Sequence, residues 1–201
     1  MTGRRDRNMQ EKRTRILEAA AALFEEHGFA AVTTQQISDR ADVAAGTLFR
    51  YASSKGELLL MVYNERYRAV IDEGALYAAS ASDPEQAVLS FVGPVIEWAA
   101  GHPENSTAYQ RELMFGAPTE RFRAEGLSLV ADFEDRIAEL LAGSAGRDPA
   151  AAAAAGAVFA VVHLAIARLA HRPRTAEDAA LLRRQIGQII TGFRAEPRAE
   201  Q

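Results

Sequence analysis

The stretch DVAAGTLFRYASSKGEL, Asp42–Leu58, gathers hydrogen-bonding side chains at short spacing. Thr47, Arg50, Tyr51 and Lys55 offer a hydroxyl, a guanidinium fork, a phenol and an ammonium. All can donate, and donors are what acceptor-rich base edges and the phosphates between them require. Arg50 suits such chemistry best. Its fork matches the O6 and N7 of guanine, a contact that discriminates by about 1–3 kcal/mol. The same fork fits a phosphate equally well, and the sequence leaves both readings open. Ala44 and Ala45 precede these donors. They give no hydrogen bond, but they let a helix sit close to a groove and can touch thymine methyls. The alternative for the whole stretch is an ordinary corner of a helical core.

Such a surface needs helices to hold it outward. No stretch alternates as a strand would, and nearly every segment has a helical period, so the chain reads as all-α with about nine helices. The first helix is predicted over about residues 10–27, with Ile16, Leu17, Ala20, Leu23 and Phe24 on one face. Gly28 stops it, as a residue suited to a left-handed backbone would. Thr33 caps a second, short helix, with Gln36 closing a capping box and Ile37 and Ala41 facing inward. DVAAG is a tight turn with Val43 as its buried plug. A third short helix follows over about Ala45–Tyr51 with Leu48 inward, and Ser53 or Ser54 caps a fourth that runs to about Tyr77. Three short helices with a tight turn between the last two make a helix-turn-helix unit, whose last helix fits the major groove.

From Asp83 the segments become longer and richer in alanine. Pro84 suits a first turn, and Pro94 predicts a kink. Gly101–Pro103, Gly116–Pro118 and Gly143–Pro149 are breaks. The last two helices are predicted over about Asp148–His171 and Ala176–Ala195.

The totals narrow the function classes. The chain has 201 residues, 48% of them hydrophobic and 25% charged, as in a globular protein with one sizeable core or two smaller ones. With no cysteine, disulfides, thiolate zinc sites and cysteine nucleophiles are excluded, and a reducing compartment fits. The start carries no apolar segment after its charges, so a cytoplasmic protein is expected. Asn105 lies in NST, which reads as a chance match to a glycosylation acceptor or as a helix cap. Ala150–Ala167 holds no charge and only His163 as a polar residue; it reads as a buried or dimer-facing helix and not as a membrane span. The four histidines are scattered, and neither a phosphate loop nor a dinucleotide fingerprint occurs, so no catalytic residue, metal ligand or cofactor is assigned. The net charge of −4 hides an asymmetry: residues 1–15 hold six basic groups against Asp6 and Glu11. The arm Arg4-Arg5-Arg7 could enter an adjacent minor groove, or be a solvated tail.

Over about residues 12–63 these features fall in one order: Ile16, Ala20, Leu23-Phe24, Gly28-Phe29, Thr33, Ile37, Ala41, Val43, Gly46-Thr47-Leu48, Tyr51, Lys55 and Leu58. In that order they resemble the DNA-binding region of the TetR-type family of bacterial transcriptional regulators. The resemblance implies an all-helical homodimer, with an N-terminal domain (1–55) on a palindromic double-stranded operator. It implies a C-terminal domain (56–201) that binds a small-molecule effector and dimerises through its last two helices. It puts phosphate contacts at Thr33 and Lys55, and groove-facing positions at Ala44, Ala45, Thr47, Arg50 and Tyr51. Thr34, Gln35 and Phe49 belong to the same surface. Phe49 stands where the family commonly has tyrosine, so a phenolic hydroxyl is missing, and Ala52 replaces a bulky aromatic.

The effector side is less marked. Pockets are mostly apolar with a few aimed polar groups. On that ground Trp98, Tyr109, Phe115, Phe159 and His163 are candidate ligand contacts, and a largely apolar or aromatic molecule is expected. Val158, Val161, Val162, Leu182, Ile186, Ile189, Ile190 and Phe193 form the apolar stripes expected at the dimer interface. The alternative function is a helical protein-interaction module that does not bind DNA.

Overall fold

The computed structural model describes residues 3–116, 120–143, 146 and 148–195, with residues 4 and 5 described by backbone alone. Among the described residues there are nine α-helices and no strand. They are α1 (Arg4–Ala31), α2 (Thr34–Arg40), α3 (Ala45–Leu48), α4 (Lys55–Ala78), α5 (Pro84–Gly101), α6 (Pro103–Phe115), α7 (Arg121–Ala142), α8 (Pro149–Arg168) and α9 (Ala176–Ala195). The predicted breaks at Ala117-Pro118 and within 144–147 fall partly outside the described residues.

The chain forms two compact units. One contains the described residues through Arg66 together with Glu104–Leu127, and the other contains Tyr67–Pro103 together with the described residues from Ser128 onward. The first unit is built on α1, where Ile16, Ala20, Leu23 and Phe24 are buried as their spacing requires. Ile37 of α2, Leu48 of α3 and Leu58, Leu59 and Val62 of α4 complete that core, and Ala52 is buried beside them. Gly28 has the expected positive φ of 78°, yet one helical turn continues past it to Ala31. Upstream, α1 begins at Arg4 and not near residue 10, so the basic segment extends the helix and forms no extended arm. Asp6 lies in its first turn and accepts from Gly3 N at 3.3 Å, where a carboxylate complements the helix dipole.

In the second unit an aromatic cluster forms the centre. Phe91 stacks on Phe133 with ring centroids 5.0 Å apart, and Tyr67 and Phe159 meet Phe133 at 6.1 and 6.3 Å. Burial pushes the Tyr67 phenol well above the ordinary tyrosine range. Asp83 caps α5 by accepting from Glu85 N and Gln86 N, with Pro84 in the first turn, and the helix runs on through the buried Pro94 to Gly101. At Gly74 the backbone of α4 comes so close to α5 that a Cβ would overlap the Phe91 carbonyl.

The stripes of α8 and α9 pack within this unit. Val158, Val162, Leu182, Ile186 and Ile190 are buried in the chain's own core, leaving them no surface for a partner. Val161, Ile189 and Phe193 are half-buried against that core. The open side of α8 is instead Ala153, Ala157, Ala160 and Leu164, the last 48% exposed. By length and composition α8 is apolar enough to cross a membrane, and 33% of its apolar window is buried.

Candidate nucleic-acid interface

The reading surface rests on three local devices. The first is the start of α2. Gln36 N donates to Thr33 Oγ1 at 3.2 Å, while Gln36 Oε1 accepts from Thr33 N at 2.8 Å, which closes the capping box. Thr33 Oγ1 also donates to Gln36 Oε1 at 3.0 Å. The amide of Gln35 donates to Asp39 at 2.7 Å.

The second device is the turn. Val43 N donates to Ser38 O at 3.0 Å and Asp42 N to Asp39 O at 3.2 Å, the paired bonds of a Schellman ending. Such an ending requires a left-handed residue, and Asp42 takes that place with φ 51°. Asp is one of the few non-glycine residues that adopts it. Val43, expected as a buried plug, is half-buried. The chain then enters α3 at Ala44. It continues past Leu48 in helical turns, with Tyr51 N and Ala52 N both donating to Leu48 O.

The third device is the anchoring of the unit. Arg40 of α2 makes a bidentate pair with Glu26 of α1 at 2.7 and 2.8 Å, which holds the Glu26 carboxyl below its ordinary range. Tyr51 donates its hydroxyl to Met9 O at 3.1 Å, tying the end of the α3 turn to the helical extension of α1. Ser54 caps α4 by accepting from Glu57 N at 2.9 Å. Glu57 is buried and accepts from Ser53 N, Ser53 Oγ and Arg121 N.

These devices leave a surface of defined composition. Thr33, Gln35, Ala44, Ala45, Phe49 and Arg50 are exposed, while Thr34, Thr47, Tyr51 and Lys55 are half-buried. Phe49 presents a ring that is 48% exposed. The Arg50 guanidinium forms no hydrogen bond or ion pair with any described residue, so its fork is available. Lys55, expected on a phosphate, is otherwise engaged: its ammonium donates to Phe29 O and Val32 O at 2.9 Å each and lies 4.4 Å from the Phe29 ring centre. It closes the carbonyl end of α1, where a cation suits the dipole.

Sequence reasoning missed one joint in this unit. Asn105 of α6 is buried, donates to Phe24 O at 2.7 Å and accepts from Phe29 N at 2.7 Å. It therefore serves two backbone groups where Gly28 departs from helical geometry, and Ala30 N beside them donates to Glu104 Oε1 at 2.7 Å. Asn105 is neither a cap nor an exposed acceptor. Beside it, burial pushes the Tyr63 phenol up to about 12. Tyr109 of α6 donates to Asn64 Oδ1 at 2.9 Å, and Asn64 Nδ2 donates to Phe122 O at 2.7 Å.

The five candidate ligand contacts are divided between the units. Tyr109 and Phe115 belong to the first, where Tyr109 is buried in the network just described and Phe115 is 85% exposed. An exposure that high gives Phe115 no pocket to line. Trp98, Phe159 and His163 belong to the second and are half-buried. The Phe159 and His163 rings lie 5.5 Å apart, and burial lowers the His163 pKa below its ordinary value.

Comparison with known proteins agrees with this geometry. Residues 16–62, which span α2, α3 and most of the packing beneath them, match the family described as bacterial regulatory proteins, tetR family. The HTH-type transcriptional repressor KstR of Mycobacterium tuberculosis is 32% identical over 106 residues, covering 53% of this chain and 48% of that protein. The HTH-type transcriptional repressor NicS of Pseudomonas putida is 30% identical over 111 residues, covering 55% and 52%. The chain thus spans about half the length of the curated relatives it matches. Among solved structures, a TetR transcriptional regulator from Rhodococcus sp. RHA1 shares the fold with a TM-score of 0.75 at 20% identity, covering 92% of this chain and 97% of that one. The transcriptional regulator FadR from Bacillus subtilis, solved in complex with stearoyl-CoA, has a TM-score of 0.65 at 17% identity, covering 89% and 98%. With the capping box, the Schellman turn and the short exposed helix inside it, the matched segment, residues 16–62, is a DNA-binding segment of the TetR type, and the whole chain shares the fold of solved TetR regulators.

Proposed function

We propose that this chain is a ligand-responsive, DNA-binding transcriptional repressor. It binds a palindromic double-stranded operator as a homodimer and is released by a small, largely apolar molecule. The observation that carries this reading is the surface around Arg50. A guanidinium without a described partner stands beside Ala44, Ala45 and Thr47 on a helix held outward by its neighbours. A protein spends no structural bond on that fork, and a base edge or phosphate is the partner its geometry fits.

Within this reading Ala44, Ala45, Thr47 and Phe49 approach the groove. Thr33, Thr34 and Gln35 lie toward the backbone at the start of α2. Tyr51 acts chiefly by tying the end of the reading helix to α1, and Lys55 by tying the start of α4 to the end of α1. The dimer forms through the small-residue open face of α8 with the half-buried Val161, Ile189 and Phe193. The effector contacts Trp98, Phe159 and His163. The FadR neighbour carries stearoyl-CoA, whose acyl chain belongs to the apolar class proposed here for the effector. Residues 1–55 form the DNA-binding domain, the rest serves effector binding and dimerisation, and the protein works in the cytoplasm. Catalysis has no part in this function.

The experiment is selection of bound fragments from the source genome, followed by affinity measurement across a salt series. A DNA reader enriches a palindromic site and loses affinity steeply as salt rises, because each neutralised phosphate releases counterions. Recovery of no enriched site would favour a protein-interaction module instead.

A further inference from the structure

In the second unit, the end of α8, the turn after it, α9 and Ile96 of α5 enclose a cavity of about 30 Å³. That is room for about two water molecules. Ile96, Leu169 and Leu182 give it an apolar floor, and Arg168, Arg172 and Arg174 stand around it. None of the residues expected at the effector site lines it.

The three arginines are not equivalent. Arg172 is fixed in a bidentate pair with Asp178 at 2.6 and 2.7 Å. Asp178 Oδ2 also accepts from Thr175 N and Thr175 Oγ1 at 2.9 Å each. Arg172, and after it Thr175, hold the Asp178 carboxyl well below the ordinary carboxylate range. Both oxygens of the one acid at the cavity are therefore engaged in a closed pair. The guanidiniums of Arg168 and Arg174 form no hydrogen bond or ion pair with any described residue. Arg174 is half-buried and Arg168 exposed. Two uncompensated guanidiniums thus stand over a small apolar hollow.

We propose that this cavity is a binding site for a short-chain carboxylate. The carboxylate lies between Arg168 and Arg174, whose donor forks match its two oxygens. The alkyl tail enters the hollow against Ile96, Leu169 and Leu182. The size of the hollow selects a tail of a few carbons and excludes a long acyl chain. The Arg172–Asp178 pair keeps the rim rigid and stays out of the binding. A free phosphate satisfies the arginines but leaves the apolar floor empty.

Butyrate, butylamine and inorganic phosphate, titrated into the full chain at constant ionic strength, test the assignment. Methyl NMR reads the floor directly. Butyrate is expected to shift the Ile96, Leu169 and Leu182 methyls saturably, while butylamine leaves them unmoved and phosphate binds more weakly than butyrate. Replacing both arginines, Arg168→Gln with Arg174→Gln, should weaken butyrate by about tenfold or more. The unliganded melting temperature of that variant should stay within a degree or so of the parent, since neither side chain has a structural partner. The assignment is overturned by the absence of saturable methyl shifts, by equal butyrate affinity in the double variant, or by butylamine binding as well as butyrate. It is equally overturned if phosphate binds as tightly as butyrate.

Discussion

The Lys55 ammonium lies 4.4 Å from the centre of the Phe29 ring and donates to the carbonyl of that same residue at 2.9 Å. Arg111 of α6 approaches the ring as well, with its guanidinium 5.8 Å from the centre. The end of α1, the start of α4 and α6 therefore meet at one phenylalanine. Removing the lysine leaves the last carbonyls of α1 to water and removes a cation–π contact. Lys55→Ala should lower unfolding free energy by about 1–2 kcal/mol. Urea denaturation measures that loss. The slope of operator affinity against salt should stay as in the parent. A slope reduced by about 1, with stability unchanged, would instead put the ammonium on a phosphate.

Asn105 makes a second, wholly polar joint in the same unit. Its amide serves Phe24 O and Phe29 N at once, both at 2.7 Å. Asn105→Ala leaves these two backbone groups without that partner, and should cost about 2–4 kcal/mol, at about 1–3 for each stranded group. Chemical denaturation reads the cost. A loss below about 0.5 kcal/mol, the range of an uninvolved surface change, would show that water replaces the amide.

Gly74 predicts a reversal of the usual helix rule. Glycine to alanine inside a helix normally gains up to about 1 kcal/mol. Here the new Cβ would overlap the Phe91 carbonyl, which is backbone and cannot rotate away. Gly74→Ala should therefore lose about 1–3 kcal/mol, as overpacking does. Melting temperature is the readout, and a rise would contradict the close approach of α4 and α5.

His163 predicts a pH dependence. Burial lowers its pKa below the unperturbed 6.5. The unfolded chain then binds the proton more readily than the folded one, so stability falls as the pH drops through about 6.5 and levels off below the folded pKa. His163→Gln should flatten that part of the stability profile between about pH 7 and 5. Equal slopes in parent and variant would show that His163 does not titrate differently on folding.

Much of the first unit was legible because its signals are local. The Thr33–Gln36 capping box, the positive φ at Gly28 and the Ser54 cap each involve residues within a few positions of one another. The limits Ala176–Ala195 of α9 followed from one apolar period and flanking breaks. What escaped was pairing at a distance. Asn105 bonds to residues 81 and 76 positions away, and nothing in NST announces that. The stripe Leu182, Ile186, Ile190 shows that a face is buried, but periodicity does not say against what. It is buried within the chain itself. Charge density likewise marked residues 4–7 as basic without revealing that they continue a helix.

In the proposed function the α3 surface reads DNA through Arg50. The most direct measurement is the affinity of the parent and of Arg50→Ala for the selected operator and for scrambled DNA, over a salt series. The parent should prefer its operator and weaken steeply with salt. Arg50→Ala should lose about 1–3 kcal/mol of that preference while keeping the parent's melting temperature, since Arg50 has no described partner. Equal preference for the operator in parent and variant, or operator binding that does not respond to salt, would contradict the account.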